Sequence, residues 1–183
     1  MSEEAFIRHC APTLAGIKTG NLFNCPYADR KALLATIRST NRKLRAKGLC
    51  ATVLRSSKDH ALIYLYRPGR LSADLENAQA TALLKARGYD PGNCGQCVAQ
   101  LTRNLRNNSE FPHEIGLFLG YPAEDVQGFI ENCAKNCKCV GCWKVYGDEE
   151  AARKRFTQYQ KCTRVYQAQW AKGTDIERLT VAG

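Results

Sequence analysis

The side chains with the most chemistry in this chain are its cysteines. Cys94-Gly-Gln-Cys97 and Cys139-Val-Gly-Cys142 each set two thiols three residues apart, and Cys133 and Cys137 stand just before the second pair. Two thiolates from one turn can reach a single metal ion at about 2.3 Å, and two such pairs complete the tetrahedral set of zinc or the four thiolates of an iron–sulfur cluster. Cys94, Cys97, Cys139 and Cys142 are therefore the first expected metal set. The 41 residues between the pairs exceed the usual zinc-ribbon gap of about 15–20. Cys133-x3-Cys137-x-Cys139-x2-Cys142 is the alternative set, with a spacing that matches neither the ferredoxin run nor a regular zinc motif. The competing reading is free thiols at a helix end, some of them buried as small hydrophobes.

A redox dithiol needs a different setting. Asn93 as N-cap would place Cys94 in a first helical turn, where unpaired N–H groups and the helix dipole favour thiolate. The residues before Cys94 read as helix and turn rather than as the strand that a thioredoxin-type site requires. Cys10, beside His9 and close to Pro12, is a further candidate reactive thiol. His113-Glu114 opens like a zinc-protease motif, but Leu117 stands where the second His belongs, which leaves the two as a weak acid–base candidate pair. No phosphate-binding glycine loop, nucleophile elbow or dinucleotide fingerprint occurs, so no nucleotide cofactor is expected.

Composition sets the frame for these groups. The chain has 183 residues, 44% hydrophobic and 24% charged, an ordinary globular balance. Ten cysteines fall below the roughly 8–10% of a disulfide scaffold. Met1 to His9 is acidic and lacks an apolar stretch, so no secretory signal is read there, and a cytoplasmic location is expected. No apolar run approaches the roughly 20 residues of a membrane span. In a reducing compartment clustered cysteines favour metal or redox roles over disulfides. Lys plus Arg exceed Asp plus Glu by 27 to 17, for a net charge of +10. Part of that excess forms a stripe, Lys31, Arg38, Arg42 and Arg45, on one side of an amphipathic helix, which suits an acidic partner protein or nucleic acid.

The elements that must position these groups can be read in order. Cys10 to Lys18 reads as a short helix with Pro12 in its first turn, followed by a break over Asn21 to Pro26. Asp29 caps a helix reaching about Ala46, closed by Gly48. Leu49 to Arg55 and Ala61 to Arg67 form a hairpin. Ser72 opens a helix to Arg87, and Asn93 caps another from Cys94 to Arg106. Beyond the polar break Asn107-Asn108-Ser109, a short buried helix over Phe111 to Gly120 leads to a second one from Pro122 to Asn132. The cysteine-dense loop 133–142 separates it from the longest helix, which begins with Asp148-Glu149-Glu150 and ends at Gly173, and Thr174 to Glu177 fits a capping box. The expected class is α+β, mainly helical, one domain over 1–183 with a small antiparallel hairpin sheet.

His9-Cys-Ala-Pro-Thr-Leu-Ala-Gly-Ile-Lys18, Phe111-Pro-His-Glu-Ile-Gly-Leu-Phe-Leu-Gly-Tyr-Pro122 and Cys142-Trp-Lys-Val-Tyr-Gly-Asp-Glu-Glu150 resemble phrases of the bacterial domain-of-unknown-function family thirty-seven ninety-three, nearly end to end. The resemblance implies a setting in anaerobic Gram-positive bacteria, near flavodoxin or iron-handling genes, and assigns no reaction. Together with the cysteines it leads to one expectation, a cytoplasmic protein holding zinc or an iron–sulfur centre in redox or iron metabolism and docking an acidic flavodoxin-like partner. Nucleic-acid binding through the basic helix and thiol-dependent redox catalysis are the alternatives.

Overall fold

The computed structural model describes residues 2–107 and 110–183, so Asn108 and Ser109 of the expected polar break lie outside the described residues. The first helix, α1, spans Glu3–Leu14 and starts seven residues before the segment that reads as helical. Phe6, Ile7, Cys10 and Leu14 share its buried face, and the spacing of three and four drives the element. Pro12 therefore sits near the end of the helix rather than in its first turn. The expected break after it is a strand, β1 (Gly20–Pro26). Its two asparagines and its terminal proline hide the strand signal, and such residues are tolerated on a sheet edge.

Helix α2 (Arg30–Leu44) is capped by Asp29, whose carboxylate accepts from Lys31 N and Ala32 N. A 3-10 turn and left-handed Gly48 end it. Strands β2 (Cys50–Ser56) and β3 (His60–Tyr66) form the expected hairpin. β1 adds to the other side of β3, giving an antiparallel sheet in the order β1-β3-β2. The class is α+β as expected, with three strands where a hairpin alone was read. β3 is covered on both faces: Tyr64 and Tyr66 point into one cluster, and Ala61, Ile63 and Leu65 into another. A strand buried twice reads as a continuous apolar run, as this one does.

The single helix expected over 72–87 is two, α3 (Pro68–Leu75) and α4 (Ala78–Lys85), and Asn77 rather than Ser72 supplies the side-chain cap. Pro68 opens the first of these at a position where its missing N–H costs nothing. α5 (Cys94–Asn107), α6 (Ile115–Phe118) and α7 (Ala123–Glu131) follow. The cysteine-dense segment is not all loop, because β4 (Cys139–Val140) and β5 (Lys144–Val145) pair in a second, two-stranded sheet. α8 (Glu149–Ala171) is capped by Asp148, and α9 (Ile176–Leu179) by Asp175, one residue after the expected Thr174.

A third cluster, Trp143, Val145, Ala152, Phe156 and Tyr159, packs the β4–β5 hairpin on α8, with Ile17 and Tyr121 against it. Gly141 has to be glycine for this packing, since a Cβ there would run into the Phe156 ring. Asp125 anchors the same hairpin from below. Its buried carboxylate accepts from Trp143 Nε1 at 2.6 Å, Tyr146 N at 2.7 Å and Gly147 N at 2.8 Å.

Candidate functional site

The expected cysteine sets are dispersed by this fold. Asn93 does cap α5, with its Oδ1 accepting from Gln96 N at 3.0 Å, so Cys94 stands in a first helical turn as read. Its partner does not reach solvent: Cys97 is buried in the first core cluster and its thiol donates to Asp90 O at 3.0 Å. Burial, and after it the charge of Asp90, pushes the Cys97 thiol up. Cys139 packs against the hairpin cluster instead, and Cys142 is exposed. The two Cys-x-x-Cys pairs therefore serve different parts of the molecule. Among the described residues no three His, Cys, Asp or Glu side chains form a group that could hold a metal ion. The alternative set fares no better, although Cys133 is exposed and Cys137 half-buried in a segment where Cys133, Ala134 and Asn136 all take left-handed backbone angles.

The remaining sequence candidates separate in the same way. Cys10 lies in the middle of α1, fully buried, and burial drives its thiol far above the usual range, so no helix N-terminus activates it. Glu114 is buried, accepts from Tyr89 OH at 2.8 Å and lies 3.3 Å from Arg87 Nε, which gives its carboxylate structural partners. His113 meets the Phe129 ring edge-on at 5.1 Å, on the wall of a largely apolar cavity of about 300 Å³. Lys31, Arg38 and Arg42 are exposed along α2, and Arg45 is exposed in the 3-10 turn that follows it.

What the fold does assemble is a pocket of about 560 Å³ whose walls include His9, Pro12, Lys18, Asn21, Tyr121, Cys142, Tyr159 and Arg164. Four stretches of the chain meet there. The end of α1 turns sharply, with Ile17 N and Lys18 N both donating to Pro12 O, and this sends Lys18 inward, 5% exposed. Its ammonium donates to Gly20 O and sits 5.3 Å from the centre of the Tyr121 ring, an arrangement that attracts a cation to the π face. Tyr121 follows Gly120, which takes a left-handed φ of 72° and whose missing Cβ lets the turn pass Thr19. The Tyr121 ring stacks on Trp143 at 4.8 Å, and its hydroxyl donates to Cys142 O at 3.2 Å. Asp125, which holds the indole of Trp143, thereby positions Tyr121 and Cys142 together.

The electrostatics of this pocket are one-sided. Its lining contains no Asp or Glu, and among the described residues no carboxylate pairs with Lys18. Burial lowers the Lys18 amine to about 8, opposed by the neighbouring thiols of Cys10 and then Cys142. Burial raises the Cys142 thiol while Lys18 pulls it down. The phenols of Tyr121 and Tyr159 are raised, chiefly by burial, and hold their protons at neutral pH. His9 stacks on Phe23 at 5.1 Å, and burial and then Arg8 lower its pKa. Thr13 donates to Asn21 Oδ1 at 2.7 Å, which leaves the amide NH₂ as the donor Asn21 offers.

Comparison with family models places a match over residues 6–180, to the family described as protein of unknown function (DUF3793). The chain belongs to this family. Curated proteins and solved structures give no match. The three phrases that carry the resemblance are the ones that meet at the pocket: His9, Pro12 and Lys18 come from the first, Tyr121 from the second and Cys142 from the third. Sequence reasoning passed over Lys18, Tyr121 and Arg164. The sharp helix end before Lys18 was visible in Ala15-Gly16, but nothing local announces that a lysine will be buried without an acid. Among the described residues no helix is long and apolar enough to cross a membrane.

Proposed function

We propose that the chain binds a small anionic molecule in the Lys18 pocket, with the Cys142 thiol beside the bound molecule. One observation carries this reading: Lys18 is a buried ammonium lining a pocket that contains no carboxylate. A buried charge without a counter-ion is costly, and an entering anion relieves that cost. Arg164 at the rim supplies a second positive charge, and Asn21 and the two phenols supply hydrogen-bond donors. Titration of the full chain with inorganic phosphate and with malonate, followed by calorimetry and thermal unfolding, tests it. Saturation at a hundred times Kd stabilises by about 2.7 kcal/mol, and Lys18→Met removes the response. No response to either anion overturns the proposal.

The thiol-dependent redox alternative is supported at Cys142, which faces this pocket, rather than at Cys94 or the buried Cys10. A zinc or iron–sulfur centre is a separate proposal that rests on the sequence spacing of Cys133, Cys137, Cys139 and Cys142. Anaerobic purification followed by elemental analysis decides it, and absence of stoichiometric metal rejects it. The cationic face of α2 supports docking of an acidic redox protein, with nucleic acid as the rival. Replacing Lys31, Arg38, Arg42 and Arg45 together abolishes retention on the matching affinity matrix if that face is used.

A further inference from the structure

We propose that Lys18 is a nucleophile toward carbonyl carbon, so that the molecule taken by this pocket is a small aldehyde or ketone with an anionic group, held covalently as an imine. The inference rests on the anionic-ligand reading and names the substrate class of the same site. A lysine does this chemistry when its amine is neutral, reachable from a pocket and set apart from bulk water. Lys18 meets the last two through its place in the fold, and its lowered pKa leaves a fraction of it neutral. It is buried yet lines the pocket. The charged and titratable groups around it are the thiol of Cys10 on α1, Cys142 beyond β4, Tyr121 under the ammonium, Tyr159 and Arg164 on α8, and His9. None of these is a carboxylate that would hold the proton on the amine.

With its pKa lowered to about 8, roughly a tenth of Lys18 is neutral at pH 7, against well under a thousandth of a solvated lysine of pKa about 10.4. The lone pair of the neutral amine attacks the carbonyl carbon, and the carbonyl π pair moves to oxygen, which takes a proton. The resulting carbinolamine loses water to form the C=N bond. Both hydrogens of that water are ones the amine carried, relayed through the site, so no oxidant or reductant is consumed. Tyr121 and Tyr159 keep their protons at neutral pH and can relay them, as can the His9 imidazole in the same pocket. Arg164 and the Asn21 amide then meet the anionic group, which leaves the carbonyl for Lys18. Burial raises the thiol of Cys10, and desolvation raises that of Cys142 against the pull of Lys18, which favours the protonated thiols over the more nucleophilic thiolates.

The test uses the full chain with glyoxylate and sodium cyanoborohydride at pH 7. The hydride reduces any imine to a stable carboxymethyl-lysine, and peptide mass spectrometry locates it. Lys18 is expected to be trapped on the order of a hundredfold faster than exposed lysines such as Lys31 and Lys154, from the ratio of neutral fractions, and the preference shrinks at pH 10, where solvated amines lose their protons too. Inorganic phosphate slows trapping at Lys18 alone. Lys18→Arg keeps the charge, and so keeps the phosphate response while losing the preferred adduct. Trapping at Lys18 no faster than at Lys31, with the phosphate response intact, overturns the imine and leaves the anion pocket standing. Equal trapping with no phosphate response overturns both.

Discussion

Cys94-Gly-Gln-Cys97 and Cys139-Val-Gly-Cys142 share one spacing and have opposite fates. The first pair opens a regular helix, and the turn of that helix carries Cys97 into the core, where its thiol is bonded to Asp90 O and out of reach of solvent. The second pair spans the first strand and the turn of a short hairpin, and this places Cys142 on a pocket wall beside Lys18. Spacing sets which thiols can point the same way along the chain. Whether they meet a ligand depends on what packs against them, and here the core claims one pair while the surface keeps part of the other.

The comparison can be broken most severely at Asp125. Asp125→Ala strands three donors, Trp143 Nε1 and the amides of Tyr146 and Gly147, and is expected to cost roughly 3–5 kcal/mol in denaturant unfolding. Below the transition, alkylation of Cys142 accelerates while that of Cys97 does not change. Equal acceleration of both thiols would show that the two regions are not held independently.

Lys18 gives the next largest effect, in the opposite direction. At pH 7 the ammonium is protonated in the folded and the unfolded chain alike, and its burial costs stability. Between the folded value of about 8 and the ordinary value of 10.5 the native state has released its proton while the unfolded chain retains it, so stability rises with pH across that window. Above it the penalty is gone. Lys18→Met is therefore expected to stabilise the chain at pH 7 by an amount on the order of 3 kcal/mol, less the loss of the bond to Gly20 O, and to flatten the rise between pH 8 and 10.5. A stability curve unchanged in slope would remove the buried charge from the account.

The thiols themselves supply the smallest and most direct contrast. Cys97→Ala is expected to cost about 1–2 kcal/mol, because a buried side chain leaves a small cavity, and to leave phosphate binding unaltered. Cys142→Ala is expected to cost less than about 0.5 kcal/mol, the usual range for an exposed position, and to change the affinity of the Lys18 pocket. If Cys97→Ala alters binding and Cys142→Ala does not, the assignment of the pocket to the second pair is wrong.

Much of the framework was legible in the chain. Asp29 and Asn93 were readable as N-caps because a short polar side chain before a helical pattern satisfies free amides, and each does so here. The β2–β3 hairpin was readable from two apolar runs around a polar turn. β1 was not, since an edge strand tolerates Asn and Pro and owes its place to the neighbouring β3. The early start of α1 was also missed, because Pro12 drew the helix start toward itself when the buried face of Phe6, Ile7 and Cys10 had already set it.

By itself the sequence determined the α+β class, the helix boundaries marked by caps, the exposed cationic face of α2 and membership of the family, all of which depend on local patterns or on whole phrases. Only the tertiary structure decided which of ten cysteines could matter and that a lysine would join them. Burial, desolvation and the absence of a nearby carboxylate arise from residues distant in the chain, such as Lys18, Tyr121 and Cys142, and these long-range packing terms turn an ordinary amine into a candidate reactive group.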